Sequence, residues 1–341
     1  MRRLKMKAAI LTHYNKKGRN LELKDIDIPV PEDNEVLVKI HFAGVNPLDN
    51  MIIRGEAKLI VPYQMPLVMG NEFSGIVEKV GSKVIKYKSG DRVYGRMPLS
   101  KIGAFAEFAA VNEDALAIIP DYLSLDEAAT VPLTALTAVQ AFEIMNPKPG
   151  DTVFISGGTG SLGAMAIPVA KSLGLNVITN GSAENEERVK KLGADKFIDY
   201  KKENYADILE NVDFAIDTLG DRELPNEFKI LKEGGKLVSL RGLPNGMFAK
   251  RIGMTFFKQM LFKLAGSKYD KMAAKKNQTY DFIFVHESGK QLKEIGNLFN
   301  RENPLETSID SVYSLDGVND ALKKVSMGCS KGKTIIRIAE E

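Results

Sequence analysis

Glycines stand at the first, third and sixth positions of Gly158-Thr159-Gly160-Ser161-Leu162-Gly163, after the apolar stretch 152–156 and before a helical stretch, 164–173. A strand, a glycine turn and a helix in that order form a cradle for the pyrophosphate of a dinucleotide. The first glycine allows the tight turn, and the second lets backbone N–H groups approach the phosphates. The third lets the helix sit close to the strand. The helix N-terminus then offers unpaired N–H groups and a positive dipole end to the anion. All six residues are therefore candidate cofactor contacts. Pro168 inside this helix is the one discordant residue, because it removes a backbone donor and should kink the axis.

The tip of the next strand, 177–179, selects between NADH and NADPH. An NAD site usually carries an Asp or Glu there to hold the ribose 2′-hydroxyl. Here the strand runs into Asn180, Gly181 and Ser182. Asn180, Ser182 and Asn185 can donate hydrogen bonds, and Arg188 can bring positive charge to a 2′-phosphate. Arg188 also has the helical spacing to pair with Glu184. The following strand ends at Tyr200, ahead of Lys201 and Lys202, a second edge for the phosphate. NADPH is the expected cofactor.

The elements that position these residues change character along the chain. The first third reads as short strands, 21–28, 36–42 and 75–80, punctuated by many glycines and prolines, which suggests a compact β-barrel-like domain. Near 124 a Ser N-cap precedes acidic residues and an apolar face, a helix start. From 152 onward, strands at 152–156, 177–179, 196–200, 212–217 and 236–240 alternate with helical stretches such as 186–192. That rhythm predicts a doubly wound parallel sheet in an α/β chain.

Composition bounds the rest. The 341 residues suit two domains, with 44% apolar and 27% charged residues, an ordinary globular balance. A net charge of +3 gives no general pull toward nucleic acid. The single cysteine, Cys329, excludes an internal disulfide and any multi-cysteine zinc site. No uninterrupted apolar run of membrane-spanning length stands out, and the basic start, Met1, Arg2 and Arg3, leads into a strand without an apolar signal core. The expected location is the cytoplasm. Residues 250–276 depart from both patterns, with eight basic residues against one acid, Asp270, interleaved with Phe, Leu, Ile and Met. Such a segment reads as a lid or connecting helix whose apolar side packs on its own protein, or as weak contact with an anionic membrane.

The chain resembles the medium-chain dehydrogenase/reductase superfamily, in its zinc-free quinone oxidoreductase and enone reductase branch. The resemblance rests on AGVNPLD (43–49), MGNEFSGIV (69–77), GDRVY (90–94), LTALTA (133–138), the glycine loop, KLGADKFIDY (191–200) and GKTIIR (332–337), which are collinear over nearly the whole chain. It implies a GroES-like β-barrel catalytic domain at 1–124, completed by about 286–341. It also implies a Rossmann NADP(H)-binding domain at 125–285. The zinc-dependent branch has a Cys, a His and a Cys where this chain has Asn46, Asn71 and Leu133. Amide and apolar side chains are poor zinc ligands, so no metal is expected. His13, His41 and His286 are scattered, and His41 and His286 read as structural.

Without a Lewis acid to stabilise an alkoxide, reduction of a conjugated carbonyl or quinone is the easier chemistry. It needs alignment, exclusion of water and a donor for the developing oxyanion. The resemblance makes Asn46 the candidate catalytic donor and also a candidate cofactor contact. Some quinone oxidoreductases carry a pocket Tyr five residues later; here the position is Met51, and Tyr63 or Tyr94 could compensate. Thr137, Leu219, Leu240, Gly242, Phe284 and Val285 complete the implied cofactor surroundings. The expected partner is a small conjugated carbonyl or quinone, and the expected state is a homodimer or a monomer. A nucleotide-binding structural or regulatory protein with little turnover is the rival reading.

Overall fold

The computed structural model describes residues 4–16, 21–328 and 332–339. Cys329 and the first three residues lie outside them. The chain divides into two units, Met1–Leu136 with His286–Glu341, and Thr137–Val285.

The first unit opens with β1 (Lys5–Leu11), β2 (Leu21–Asp27), β3 (Glu35–Val45), α1 (Pro47–Arg54), β4 (Leu67–Val68), β5 (Glu72–Val80), β6 (Arg92–Arg96), β7 (Phe108–Asn112), β8 (Leu116–Ile118) and α2 (Leu125–Ala128). It also holds the first turn of α3 (Pro132–Met145), so the unit boundary falls inside α3 rather than at 124/125. Strand β3 is the spine. Ten of its eleven residues are buried and only Lys39 is exposed, because the strand is covered on both faces. The helix start read at Ser124 is α2, whose Glu127 carboxylate accepts the Ser124 N–H at 2.9 Å. By length and composition 125–145 could cross a membrane, against the sequence reading, yet 78% of that window is buried inside the fold, as befits a core helix.

The second unit continues with β9 (Thr152–Ile155), α4 (Ser161–Ser172), β10 (Asn176–Gly181), α5 (Glu186–Lys191), β11 (Lys196–Asp199), α6 (Tyr205–Ile208), β12 (Val212–Asp217), α7 (Leu224–Ile230), β13 (Leu231–Ser239), α8 (Gly246–Arg251), α9 (Phe256–Ala265), α10 (Ser267–Ala274) and β14 (Thr279–Phe282). Its sheet is parallel throughout, in the order β11-β10-β9-β12-β13-β14. The winding direction reverses between β9 and β12, the switch point at which open α/β sheets bind ligands. The basic stretch 250–276 is several short helices rather than one. Helix α4 runs through Pro168 without interruption.

The chain then returns to the first unit as α11 (Gly289–Leu298), β15 (Ile309–Ser314), α12 (Val318–Ser326) and β16 (Lys333–Arg337). Strand β16 pairs antiparallel with β3 from Thr334↔Val45 to Arg337↔Phe42. The main sheet reads β15-β16-β3-β5-β6-β8, with β7 also on β3, and β2-β1-β4 form a second sheet. The architecture is a GroES-like unit joined to a Rossmann-like parallel sheet.

Candidate functional site

In the second unit the glycine loop leaves β9 and enters α4. The left-handed residue that makes the turn is Gly157, at φ +67°, one position before the glycine assigned that role from the sequence. Gly158 is needed for close approach instead, since a Cβ there would lie 2.0 Å from Thr179 Oγ1, which accepts the Gly158 N–H at 3.0 Å. A Cβ on Gly163 would lie 2.2 Å from Gly158 O, so helix and loop touch backbone to backbone. Around Gly160, the N-cap of α4, the nearest atom to such a Cβ is Gly157 O at 3.5 Å. The loop is packed tightly on its protein side and left open at the helix N-terminus, as an incoming pyrophosphate requires.

The remaining predicted cofactor residues of this unit, apart from Thr137 on α3, gather at one edge of the sheet. Asn180 closes β10, and its side-chain oxygen accepts the Gly157 N–H at 2.8 Å. Asn185 Nδ2 donates to Ser182 Oγ at 3.0 Å, and Arg188 Nη1 reaches Thr159 O at 3.4 Å, which brings the guanidinium to the loop. Tyr200 follows β11 and is exposed, Leu219 follows β12, Leu240 and Gly242 follow β13, and Phe284 and Val285 follow β14. These are the carboxyl ends of parallel strands, where nucleotides bind in such sheets. Gly242 sits against Tyr280, whose hydroxyl would lie 2.2 Å from a Cβ there. Thr137 is buried.

In the first unit a buried polar cluster forms where β3 turns into α1. Asn46 caps α1, and its N–H donates to Asp49 Oδ2 at 2.7 Å. Asp49 Oδ1 accepts from Asn71 Nδ2 at 2.7 Å. Glu72 Oε1 accepts from Asn46 Nδ2 at 2.8 Å and from Lys333 Nζ at 2.6 Å, while its Oε2 accepts the Leu133 N–H at 2.7 Å. Lys333 also donates to Asn46 Oδ1 at 2.6 Å. Gly44 makes room for this, because a Cβ there would lie 2.3 Å from Glu72 Oε1. Burial pushes the Asp49 carboxyl up to about 7, against its two hydrogen bonds.

Arg96 ends β6 directly across from Glu72 and is fully buried. Its Nη1 donates to Met97 O and lies 3.7 Å from Glu287 Oε2, while Nε and Nη2 have no hydrogen-bond partner. Two more buried atoms nearby are unpartnered, Tyr63 Oη and Asn71 Oδ1. Arg96, Asp49 and Glu287 all act on the Tyr63 hydroxyl, which burial pushes up to about 12. Desolvation holds Arg96 below its usual value. Buried polar groups are rarely left unpaired, so these atoms are exceptions within the cluster.

Two predicted roles change. Asn46 is not a free oxyanion donor, because its amide is committed at both ends, to Glu72 and Lys333. Its observed place is the N-cap of α1. Tyr94 is 1% exposed, and its hydroxyl donates to Leu292 O at 3.1 Å, so it belongs to the core and not to a substrate surface. Met51 lies half-buried on α1, and Tyr63 keeps its unpaired hydroxyl. The sequence reading missed Asp49, Glu72, Arg96 and Lys333. Asp49 had a signal, since Asn46-Pro47-Leu48-Asp49 has capping-box spacing. The other three meet only through strand pairing.

The three positions that resemble zinc ligands hold no zinc-binding donor set. Asn46 is locked between Lys333 and Glu72, Asn71 donates to Asp49, and Leu133 offers only its backbone N–H. Among the described residues no group of three or more His, Cys, Asp and Glu is placed to hold a metal ion.

Comparisons with known proteins agree with both units. The family model for the alcohol dehydrogenase GroES-like domain matches residues 32–121, and that for the zinc-binding dehydrogenase matches 192–336. A mitochondrial NAD(P)H oxidoreductase of Dictyostelium discoideum is 31% identical over 97% of this chain and 99% of its own. A 2-methylene-furan-3-one reductase of Solanum lycopersicum is 35% identical, covering 70% of this chain and 62% of that protein. The solved quinone oxidoreductase of Coxiella burnetii superposes with a TM-score of 0.83 at 27% identity, over 98% of this chain and 100% of that one.

Proposed function

Because the chain belongs to the medium-chain dehydrogenase/reductase superfamily, in its quinone oxidoreductase branch, we propose that it is a zinc-independent reductase using NADPH on quinones or α,β-unsaturated carbonyls. The observation that carries this reading is the open glycine loop at the switch point of the parallel sheet, in a chain that also holds the Lys333–Glu72 polar cluster. When bound, the reduced nicotinamide supplies a hydride to an electrophilic carbon.

The chain's own residues supply the rest. Gly157 to Gly163 and the first turn of α4 hold the pyrophosphate, and Asn180 braces that loop. Arg188 and Ser182 offer a charge-assisted and a neutral donor to a 2′-phosphate. In the polar cluster Lys333 neutralises Glu72, and the pair holds Asn46 and the start of α1 in place. The unpaired Nε and Nη2 of Arg96, with the Tyr63 hydroxyl, are the donors available to a carbonyl oxygen as it gains negative charge. A preorganised buried cation does there what a metal does in relatives that carry one.

The test is NADPH oxidation screened over quinones, alkenals and alkenones, with NADH and saturated carbonyls as controls. The reading expects NADPH consumption that depends on conjugation. Absence of turnover with every conjugated acceptor, with cofactor binding intact, would favour the non-catalytic nucleotide-binding alternative.

A further inference from the structure

Helix α9 is amphipathic with its apolar face turned outward. At 3.6 residues per turn, Phe256, Met260, Leu264, Phe257 and Leu261 fall within an arc of about 140°. They are 77%, 44%, 70%, 78% and 39% exposed, whereas Phe262, on the opposite side, is 3% exposed and packs edge-on against Phe248 of α8. Lys263 borders the arc on one side and Lys258 on the other. Met247, on α8, and Ile252, just beyond it, are 52% and 44% exposed and add to the apolar surface. Lys250, Lys268 and Lys271 are exposed around it. The acid of the stretch, Asp270, is half-buried and receives a hydrogen bond from Asn245 Nδ2 at 2.7 Å. The outward arc of α9 thus does not pack on its own protein, whereas Phe262 behind it does.

We propose that α8 and α9 form a docking surface for an anionic lipid bilayer, with the two phenylalanines and Leu264 entering the acyl boundary and the lysines meeting the headgroups. Long lysine stems bordering an apolar arc can lie along it and lift their charge to the headgroup level. The charge decides against a second copy of the chain. A twofold contact through this face would bring the exposed Lys250 and Lys263 of one copy up to those of the other, with no exposed acid of the segment to answer them. An anionic surface complements that charge. The inference stands apart from the reductase reading, since vesicle binding needs no turnover.

The experiment is flotation of the full chain with vesicles of roughly two parts phosphatidylcholine to one part phosphatidylserine, beside vesicles of phosphatidylcholine alone. The variants are Phe256→Ser with Phe257→Ser, and Lys250→Glu with Lys263→Glu, all at exposed positions, with thermal melting to confirm the fold. The proposal expects binding to the phosphatidylserine vesicles that weakens with added salt and falls about tenfold or more in each double variant. No binding to either vesicle overturns it, as does equal binding to both or unchanged binding by the phenylalanine variant. A wild-type dimer that the phenylalanine variant converts to monomer, without vesicle binding, assigns the face to a second copy instead.

Discussion

Asp49 is a fully buried carboxyl whose ionised form is disfavoured, and its titration leaves a signature on stability. Its value rises from 3.8 to about 7 in the folded protein, chiefly through desolvation. Between those two values the fold retains a proton that the unfolded chain has released, so its contribution to stability falls as pH rises and is lost by about pH 7. The effect is on the order of a few kcal/mol. Thermal melts from acid to neutral pH should show a decline that Asp49→Asn flattens, and an equal decline in the variant would contradict the assignment. A second prediction concerns Arg188. Replacing it by Ala should raise the KM for NADPH by roughly ten- to a hundredfold, the loss of one charge-assisted contact, with little change for NADH. Equal losses with both cofactors would remove Arg188 from the 2′-phosphate. Arg96→Met should lower kcat for a conjugated acceptor by at least about a hundredfold while leaving NADPH affinity intact, because it removes donors for the developing charge. The sequence shows that Asn46, Asn71 and Leu133 stand where the resemblance would put zinc ligands, but not which side chains surround them. Lys333 and Glu72 are far apart in the chain, and only the register of β16 on β3 and β3 on β5 brings them to Asn46.

The strand-loop-helix unit from β9 to α4 separates two uses of glycine. Gly163→Ala would drive a methyl group against the Gly158 carbonyl and should destabilise the fold by about 1–3 kcal/mol. Gly160→Ala meets nothing nearer than 3.5 Å and should fold normally, yet lose NADPH affinity about tenfold or more. Melting curves beside cofactor titrations distinguish them, and normal binding by the Gly160 variant would contradict the open cradle. Helix α7 carries another buried carboxyl, Glu227, beside Ser156 and with Asp217 and Glu223 nearby. Desolvation and Asp217 push it well above its ordinary value, so stability is lost as pH rises above the unfolded value of 4.5 toward the folded one. Glu227→Gln should therefore gain melting temperature over the wild type with rising pH, and a constant difference would contradict this. Elements such as β9, α4 and β12 were legible because their apolar runs, turn glycines and caps all point the same way. The stretch 250–276 was not, because apolar and basic residues at helical spacing read alike whether the apolar side faces inward or outward.

For the whole molecule, a two-part plan was legible from the change of period near 124, with the return near 286 implied by the family resemblance, whereas the boundary inside α3 was not. That helix is apolar on every side, so nothing in its pattern marks where one core ends and the next begins. In the proposed mechanism a Lys333–Glu72 pair and a buried Arg96 stand in place of zinc during hydride transfer. The direct measurement is the rate of NADPH oxidation with the best conjugated acceptor, on protein stripped by a chelator and assayed for residual metal, before and after zinc is restored. An unchanged rate in metal-free protein and no gain from zinc are expected. A rate that vanishes on chelation and returns with zinc would contradict that mechanism.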